Sequence, residues 1–355
     1  MEVIDQGVQR IINSVRDLDF SWDEHSFLIT GGAGFLGSWI SDVLIRQGSK
    51  VTVLDNLSSG LQQNIEHLIN QDNFSFINTD ISTRFSVNED IDYVFHLASR
   101  ASPFEFTKFP IEILRANTLG ILNALEIARE NQSKFLYTST SEIYGNPSTK
   151  HIPTPETYFG NVNPIGPRSC YDEAKRAGEA FVMAYMLEHN LDARIVRIFN
   201  TYGPRMRSGN LYGRVIPNFV EQCLTNKPVS VFGDGSQTRS FSYVTDTTEG
   251  IFRAAFLPQT KGEVFNIGNN VEISIISLAR KIIAILNHQN SRIDYQPLPI
   301  DDPKRRCPEI SKALKILKWK PKIKLEEGLE EFKKWFITEN EFKVKEANLN
   351  QSHLI

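Results

Sequence analysis

The sequence predicts an α/β protein in which a doubly wound parallel sheet carries a smaller C-terminal lobe. Short runs of β-branched and aromatic residues alternate with longer helical patterns through the first half of the chain, as in parallel sheets covered by helices on both faces. After about residue 200, loops rich in Gly and Pro, short strands and further helices follow. With 355 residues, of which 41% are hydrophobic, the chain is long enough for a large core and a second lobe. Together these observations indicate a Rossmann-like plan.

Strands are predicted where these β-branched runs occur. Those expected to form the main sheet are residues 27–30, 51–54, 74–78, 93–97, 135–138 and 193–198. Two shorter strands, at residues 229–232 and 263–267, fall in the second part of the chain. We expect the sheet domain to receive later strands from the region of about 229–270.

Two predicted helices, near residues 111–130 and 171–189, have apolar residues on more than one face. Examples of these residues are Leu114, Leu122, Leu125, Ala177, Phe181 and Ala184. A helix that is apolar on two sides is usually buried on two sides. We therefore expect a homodimer that forms through a helical interface.

The N-terminal segment, residues 1–25, also has a helical pattern of apolar residues. The residues at this spacing are Val8, Ile11, Ile12, Val15 and Leu18. We expect an amphipathic helix that docks on the body of the protein or on another subunit, with membrane-surface binding as a minor alternative. Residues 339–355 are polar and are expected to form a frayed tail.

Composition argues against several classes of protein. The net charge is −3, and the one dense basic cluster, at residues 304–306, follows two aspartates, so we expect no nucleic-acid partner. The cluster is either a solvated loop or a clamp for a ligand phosphate. The spacing of Cys170, Cys223 and Cys307 fits neither a disulfide framework nor a zinc site, which predicts a reducing, cytoplasmic setting and no metal. The sequence has neither a membrane span nor a signal peptide, so no membrane partner is expected.

A glycine-rich turn follows the first predicted strand and opens a helix. Gly31, Gly34 and Gly37 recur there at a spacing of three, and backbone amides at such a helix start can hold a pyrophosphate. Asp55 ends the next predicted strand, about 20 residues further on, where an acid hydrogen-bonds the adenosine ribose. Because a carboxylate there repels a 2′-phosphate, we expect NAD rather than NADP.

Polar residues follow the third and fifth predicted strands, at the carboxyl edge where doubly wound sheets bind ligands. Asp80, with Ile81, either frames the adenine or is an ordinary loop acid or helix cap. Thr140, Ser141 and Glu142 come directly after the fifth strand. A turn that is merely rich in Ser and Thr is the alternative interpretation of that segment.

Tyr171 and Lys175 are four residues apart on a predicted helix and therefore share one face. The Lys175 ammonium can then lie near the Tyr171 phenol and stabilise its phenolate. A free phenol has a pKa of about 10, so this help is needed for a tyrosine to accept a proton near neutral pH. The pair predicts redox chemistry on a bound sugar alcohol.

Beyond these motifs, the chain resembles the extended short-chain dehydrogenases/reductases that act on nucleotide sugars, and among them the UDP-glucuronate decarboxylases. The similarity covers about residues 26–335. The segments that carry it are residues 30–37 (TGGAGFLG), 55–56 (DN), 96–99 (HLAS), 139–145 (STSEIYG), 163–176 (NPIGPRSCYDEAKR), 197–205 (RIFNTYGPR) and 235–239 (GSQTR).

The resemblance implies a reaction and a role for each catalytic residue. UDP-glucuronate would be oxidised at C4, lose carbon dioxide and be reduced again to UDP-xylose, with NAD regenerated in each turnover. Tyr171 and Lys175 would carry the hydride step. Thr140 would hydrogen-bond the C4 oxygen, and Ser141 and Glu142 would lie near C5.

The resemblance also implies the ligand contacts. Cofactor contacts are expected at Gly31, Gly34, Phe35, Leu36, Gly37, Asp55, Asn56, Asp80, Ile81, Leu97, Ala98, Tyr171 and Lys175. Substrate contacts are expected at Ser102, Asn200, Arg205, Arg214, Arg239 and Arg306. Forked guanidinium groups suit diphosphate oxygens, although each arginine has a surface or lobe-bridging role as its alternative. The chain then divides into a helical extension (1–25), an NAD-binding domain (26–200), a mainly substrate-binding lobe (201–338) and a tail (339–355).

Ser141 and Glu142 distinguish the chain from related enzymes in this resemblance. Dehydratases carry an Asp at the Ser141 position, and epimerases usually lack the acid at Glu142. The chain departs from the decarboxylase pattern at Arg100, Phe104 and Phe106, in a loop that borders the sugar, and the segment between Glu142 and the tyrosine is longer. A related 4-epimerase, dehydratase or C4 oxidase on a different nucleotide sugar is therefore the alternative, and an inactive NAD-binding protein is a second one.

Overall fold

The computed structural model describes residues 2–87, 89–209, 214–288 and 291–340. Seven parallel strands form its central sheet, in the order β11-β6-β5-β4-β1-β2-β3. The strands are β1 Ser26–Thr30, β2 Lys50–Asp55, β3 Phe74–Asn78, β4 Tyr93–His96, β5 Lys134–Thr140, β6 Ala193–Ile198 and β11 Val264–Ile267. The predicted fold class is confirmed.

The chain begins this sheet in the middle and extends it in both directions. β2 and β3 lie on one side of β1, and β4, β5, β6 and β11 lie on the other. Phe27 and Ile29 of β1 face one hydrophobic core and Leu28 faces a second, because helices cover both faces of the sheet. The strand order reverses between β1 and β4, and at such a point the carboxyl ends of the strands leave a crevice.

Several strand bounds differ from the prediction by one or two residues, among them the carboxyl ends of β4 and β5. β4 ends at His96, so Leu97 already belongs to the following loop. β5 continues through Thr140, because Ser139 and Thr140 pair in register with β6. Thr140 is therefore the last residue of a strand, and Ser141 begins a short 3-10 helix.

Helices surround the sheet and the second lobe. They are α1 Glu2–Ser14, α2 Phe35–Arg46, α3 Pro103–Phe106, α4 Pro110–Glu130, α5 Ser169–His189, α6 Val215–Leu224, α7 Val244–Phe256, α8 Ile275–Ile285 and α9 Leu325–Glu339. α4 and α5, the two helices predicted to be apolar on two sides, pack against each other. Of the helices in the described ranges, none combines the length and the apolar character that a membrane span requires.

The N-terminal helix docks on the body of the protein, which is the first of the two predicted arrangements. α1 packs against α2, α7 and α9, and its Val8 and Ile11 are fully buried. The helix ends at Ser14, so Val15 and Leu18 lie beyond it, although both are buried. Its apolar face is covered by the rest of the chain.

The second lobe contains short strands outside the central sheet. They are β7 Thr201–Tyr202, β8 Val229–Phe232, β9 Thr238–Ser240, β10 Ser242–Tyr243, β12 Glu272–Ser274, β13 Ile293–Gln296 and β14 Arg305–Arg306. β8 pairs with β13 in a separate sheet, so only β11 of the two later predicted strands extends the central sheet. β8 alternates buried and half-buried residues, whereas β11 is almost wholly buried, as a strand inside a parallel sheet should be. Residues 341–355 of the predicted tail lie outside the described residues.

Candidate active site

A cavity of about 370 Å³ opens at the carboxyl ends of the central strands, where the strand order reverses. Its walls come from the loops after β1, β2, β3 and β4, from the end of β5 and from the start of α5. The loop after β6 and Arg214, just before α6, close the other side. All the residues predicted to contact the cofactor line this cavity, as do Thr140, Ser141 and Glu142.

The glycine-rich turn has a shape that only glycine permits. Gly31 has a φ of 75°, and a Cβ there would lie 2.7 Å from the backbone nitrogen of Ala98. A Cβ on Gly37 would lie 2.3 Å from the carbonyl oxygen of Gly31. α2 therefore starts at Phe35 with its first amides beside the cavity, the arrangement that holds a dinucleotide pyrophosphate. These residues fit a dinucleotide.

Asp55 and Asp80 line the same cavity. Asp55 is nearly buried and accepts hydrogen bonds from the amides of Ala33, at 3.0 Å, and Leu57, at 2.8 Å. Burial raises the pKa of Asp55, although these two hydrogen bonds oppose the rise. Asp80 accepts a hydrogen bond from the amide of Ser82 at 2.8 Å, so it forms a local turn as well as lining the cavity.

Tyr171 and Thr140 lie close together in the cavity. The Phe106 ring stacks on the Tyr171 ring with centroids 4.9 Å apart and planes 15° apart. Burial raises the pKa of Tyr171 to about 12, against the lowering effect of Arg214 and of the Thr140 side chain. The phenol therefore needs additional positive charge before it can act as a base near neutral pH.

Lys175 lies one turn further along α5. Its ammonium donates to the carbonyl oxygen of Thr138 at 2.9 Å and lies 4.9 Å from the centre of the Tyr137 ring. Burial lowers the pKa of Lys175 to about 7. Tyr171 and Lys175 thus lie on one helix and both line the cavity, while the hydrogen bond that fixes the ammonium is made to the backbone of β5 rather than to the phenol.

His96, at the end of β4, is a buried neighbour that the sequence motif did not single out. Its Nδ1 lies 2.9 Å from the hydroxyl of Thr30. Burial, together with the charge of Lys175, lowers the pKa of His96 to about 3, so the ring is neutral. Its Nε2 is buried without a hydrogen-bond partner among the described residues.

Glu142 is held between two arginines. Arg168 and Arg306 both form ion pairs with its carboxylate, and Arg306 also donates to the carbonyl of Gly145 at 3.1 Å. Although burial raises the pKa of Glu142, the charges of Arg306 and Arg168 hold it well below its usual range. Burial and the charge of Glu142 raise the pKa of the nearby Asp172 to about 7. Glu142 is therefore a permanent carboxylate.

Arg168 belongs to one of the sequence motifs, but the motif predicted no role for it. Its position in the segment Gly-Pro-Arg-Ser-Cys-Tyr, three residues before Tyr171, was the available signal. It could not reveal that Arg168 reaches Glu142, because the two residues are brought together only by the packing of α5 against the 3-10 helix.

The predicted substrate contacts divide into two groups. Ser102, Asn200, Arg205 and Arg214 line the cavity, whereas Arg239 and Arg306 lie behind Glu142 and outside the cavity walls. Arg239 pairs with Asp302 at 2.8 Å, and the Arg214 guanidinium donates to the carbonyl of Ala101 at 2.6 Å.

The basic cluster at residues 304–306 is neither a fully solvated loop nor a free clamp. Arg305 pairs with Glu272, while Arg306 is buried and pairs with Glu142. Both residues belong to β14, which pairs with β9. Their charges are already matched within the protein.

Two of the three departures from the decarboxylase pattern are packed inside the site. Arg100 pairs with Glu105 at 2.5 Å, and its guanidinium lies 4.4 Å from the centre of the Phe109 ring. Phe106 supports the Tyr171 ring, whereas Phe104 remains partly exposed. The loop thus supplies an aromatic support for Tyr171.

The fold and the site define an extended short-chain dehydrogenase/reductase. The defining features are the doubly wound sheet, the glycine-rich turn, the Tyr and Lys pair on α5 and the Thr at the end of β5. The model of the family described as GDP-mannose 4,6 dehydratase matches residues 28–332. The chain belongs to this family, and the resemblance found in its motifs is confirmed.

Relatives of known name span nearly the whole chain. UDP-glucuronic acid decarboxylase 1 of Danio rerio is 40% identical over 351 residues, which cover 95% of this chain and 82% of the relative. UDP-glucuronic acid decarboxylase 3 of Arabidopsis thaliana is 40% identical over 316 residues, covering 89% of this chain and 90% of the relative.

A solved structure has a similar fold. The UDP-glucuronic acid 4-epimerase of Bacillus cereus, in complex with UDP-glucuronic acid and NAD, aligns with a TM-score of 0.76 and 28% identity. The alignment covers 88% of this chain and 99% of the epimerase. Dinucleotide and sugar nucleotide are thus both bound in a protein of the same fold.

Proposed function

We propose that this protein is an NAD-dependent carboxy-lyase that converts UDP-glucuronate to UDP-xylose. The observation that carries the proposal is the arrangement of the cavity: Tyr171 lies beside Thr140, and Glu142 next to them is held as a carboxylate by Arg168 and Arg306. Similarity over nearly the whole chain to proteins named UDP-glucuronic acid decarboxylase supports it.

We assign the dinucleotide to the groove between the glycine-rich turn and Asp80. The amides at the start of α2 hold the pyrophosphate, and Asp55 accepts hydrogen bonds from the adenosine ribose, which favours NAD over NADP. NAD bound there would supply a reversible acceptor for the hydride of the sugar. The residues of the chain bind it, orient it and move the proton.

Tyr171 accepts the proton of the C4 hydroxyl as the C4 hydrogen leaves as hydride. The C4 ketone lies two carbons from the carboxylate carbon, so loss of carbon dioxide sends its electrons into an enolate. Thr140 and the protonated Tyr171 donate hydrogen bonds to the enolate oxygen. A proton from solvent water then adds at C5, and Tyr171 returns its proton to the C4 oxygen as the ketone is reduced.

Glu142 suits this sequence because it cannot donate a proton in the pH range of activity. Its low pKa allows it to accept a hydrogen bond from a hydroxyl or water beside C5. A dehydratase needs an acid that protonates a departing hydroxyl, and neither Ser141 nor an ionised Glu142 supplies it. The charge state of Glu142 therefore favours decarboxylation over dehydration.

To test the proposal, the protein is incubated with UDP-glucuronate, UDP-glucose and other nucleotide sugars. The masses of the products are then measured by mass spectrometry. We expect UDP-glucuronate to lose the mass of one carbon dioxide and to give a pentose without net consumption of NAD. A product of unchanged mass with inverted C4, or a 4-keto sugar with stoichiometric NADH, would instead identify an epimerase or a C4 oxidase.

We also propose that the protein forms a homodimer through α4 and α5. The outer faces of these helices leave large apolar side chains exposed, by 37–85%. These residues are Ile111, Leu114, Leu119, Met183 and Leu187. Exposed apolar side chains of this kind on two packed helices fit a four-helix interface between two copies. All three cysteines are free and buried, which supports the reducing, cytoplasmic setting that we propose.

Leu114→Glu combined with Leu187→Glu is expected to convert the dimer to a monomer, because the interface would bury four carboxylates without partners. Light scattering coupled to size-exclusion chromatography measures the change. Ile165→Glu is the matched control, since Ile165 is 93% exposed but lies outside both helices, and the dimer should persist in it. A double variant that stays dimeric would place the interface elsewhere.

A further inference from the structure

Residues 203–207, which we call the strap, follow β7 and run along one wall of the proposed dinucleotide groove. Arg205, Met206 and Arg207 of the strap line the cavity. Arg205 has a φ of 71°, in the left-handed region that residues with a Cβ rarely adopt. Such a conformation persists only where surrounding contacts fix it. The conformation of Arg205 therefore depends on the contacts that fix the strap.

The strap is fastened to the cofactor-binding domain at successive points. The indole nitrogen of Trp39 donates to the carbonyl of Pro204 at 3.1 Å, and Arg205 forms an ion pair with Asp42 at 2.7 Å. Further along, Arg207 donates to the carbonyl of Ser59 at 2.9 Å. The first two anchors are on α2, the helix that begins at the glycine-rich turn, and the third is in the loop after Asp55. The strap thus bridges the two sides of the groove that are assigned to the pyrophosphate and the ribose.

The anchors on α2 are buried and supported from behind. Trp39 is 0%, Asp42 1% and Arg205 7% exposed, so their hydrogen bond and ion pair act in a medium of low dielectric constant. The Nε2 of His67 lies 2.6 Å from the second carboxylate oxygen of Asp42. On the other side, α1 approaches Trp39 so closely that a Cβ on Gly7 would lie 2.6 Å from the indole ring. The N-terminal helix therefore fixes the position of the indole.

We infer that the strap retains the dinucleotide, and that Asp42 and Trp39 are positioning residues that hold it closed. This inference rests on the proposed function, in which NAD is regenerated in each turnover and need not leave the protein. A strap fixed to both sides of the groove slows dissociation without adding any group to the chemistry. Arg205, expected from the sequence to contact the substrate, then acts through Asp42 on the cofactor side.

The test is the rate at which protein-bound NAD exchanges with excess isotopically labelled NAD, measured for the wild-type protein, Asp42→Asn and Trp39→Phe. Asp42→Asn keeps the size and shape of the side chain and removes its charge, whereas Trp39→Phe keeps an aromatic ring but loses the indole N–H and part of the side-chain volume. We expect exchange to be about tenfold faster or more in each, the effect of losing one buried hydrogen bond or ion pair. Gly7→Ala, a change on α1, should also speed exchange because it displaces Trp39.

Glu249→Gln is the matched control, because Glu249 of α7 is a buried carboxylate that pairs with Arg253 and Lys322. Its exchange rate should equal that of the wild type even where its stability falls. Wild-type protein that retains NAD, with equally slow exchange in Asp42→Asn and Trp39→Phe, would overturn the strap alone. Weaker binding of UDP-glucuronate in Asp42→Asn, with unchanged NAD exchange, would also overturn it and return Arg205 to the substrate. Wild-type protein that retains no dinucleotide would overturn both the strap and the proposed function.

Discussion

Tyr171→Phe is expected to lower the turnover number by about 10²–10⁴-fold, the range that a positioned general base contributes. The variant loses the only atom that accepts the C4 proton in the proposed reaction, so reduced nicotinamide should not form when UDP-glucuronate is added. The fold should survive, because the ring that stacks on Phe106 at 4.9 Å is retained. The NAD content after purification shows whether the variant still folds and binds the cofactor. Single-turnover absorbance shows whether reduced nicotinamide forms.

Tyr144→Phe is the control for this experiment. Tyr144 is as deeply buried as Tyr171, and its replacement removes two hydroxyl hydrogen bonds, one donated to Asn266 at 2.7 Å and one accepted from Arg197 at 2.9 Å, but Tyr144 does not line the cavity. Its turnover should stay close to that of the wild type. Substantial turnover in Tyr171→Phe would remove the tyrosine from the proton transfer, and equal losses in both variants would indicate general damage to the core.

The rate should rise with pH through a titration that belongs to the base. In the structure, burial places the pKa of Tyr171 at about 12, and Arg214 and Thr140 only partly offset it. Lys175 and the positive nicotinamide ring are the charges that remain to bring it down in the complete active site. The spacing of the Tyr and the Lys therefore predicts the chemistry. The pKa of Tyr171 also depends on how deeply the phenol is buried, which the spacing does not indicate.

Local sequence patterns were sufficient for the sheet and the glycine-rich turn. β1 is a run of fully buried apolar residues, and Gly31 and Gly37 occupy positions where any Cβ would collide with backbone. Each of these features is decided within a few residues of the chain, so the sequence displays it. The end of β5 was misplaced because Ser139 and Thr140 are held in the strand by pairing with a distant partner, β6.

The charged part of the site could be predicted only in outline. Arg239 and Arg306 were expected at the substrate because guanidinium groups suit phosphate, yet their nearest charges are Asp302 and Glu142. Ion pairs between residues 142 and 306 depend on how the second lobe closes over the sheet. The periodicity of the sequence and the spacing of its motifs do not indicate the distance between residues 142 and 306. In the structure, their side chains lie in one buried cluster.

Glu142→Gln is expected to reduce the free energy of unfolding by about 3–5 kcal/mol, because it leaves Arg168 and Arg306 buried without their counter-charge. Urea denaturation followed by circular dichroism measures the loss. Arg306→Gln should destabilise the protein by a similar mechanism. In the double variant Glu142→Gln/Arg306→Gln, the remaining Arg168 keeps Asp172 as its partner, so the destabilisation should be clearly smaller than the sum of the two single effects.

A parallel double-mutant cycle on Lys281 and Glu326 separates a buried pair from an exposed one. These side chains are 32% and 59% exposed, and their coupling should be within about 1 kcal/mol of zero. The double variant Glu142→Gln/Arg306→Gln should also be inactive towards UDP-glucuronate although it is folded. Its charge balance is restored, but the carboxylate beside C5 is gone. If the double variant regained activity together with stability, Glu142 would be a structural counter-ion for the arginines, and the decarboxylation would have to rely on Tyr171 and Thr140 alone.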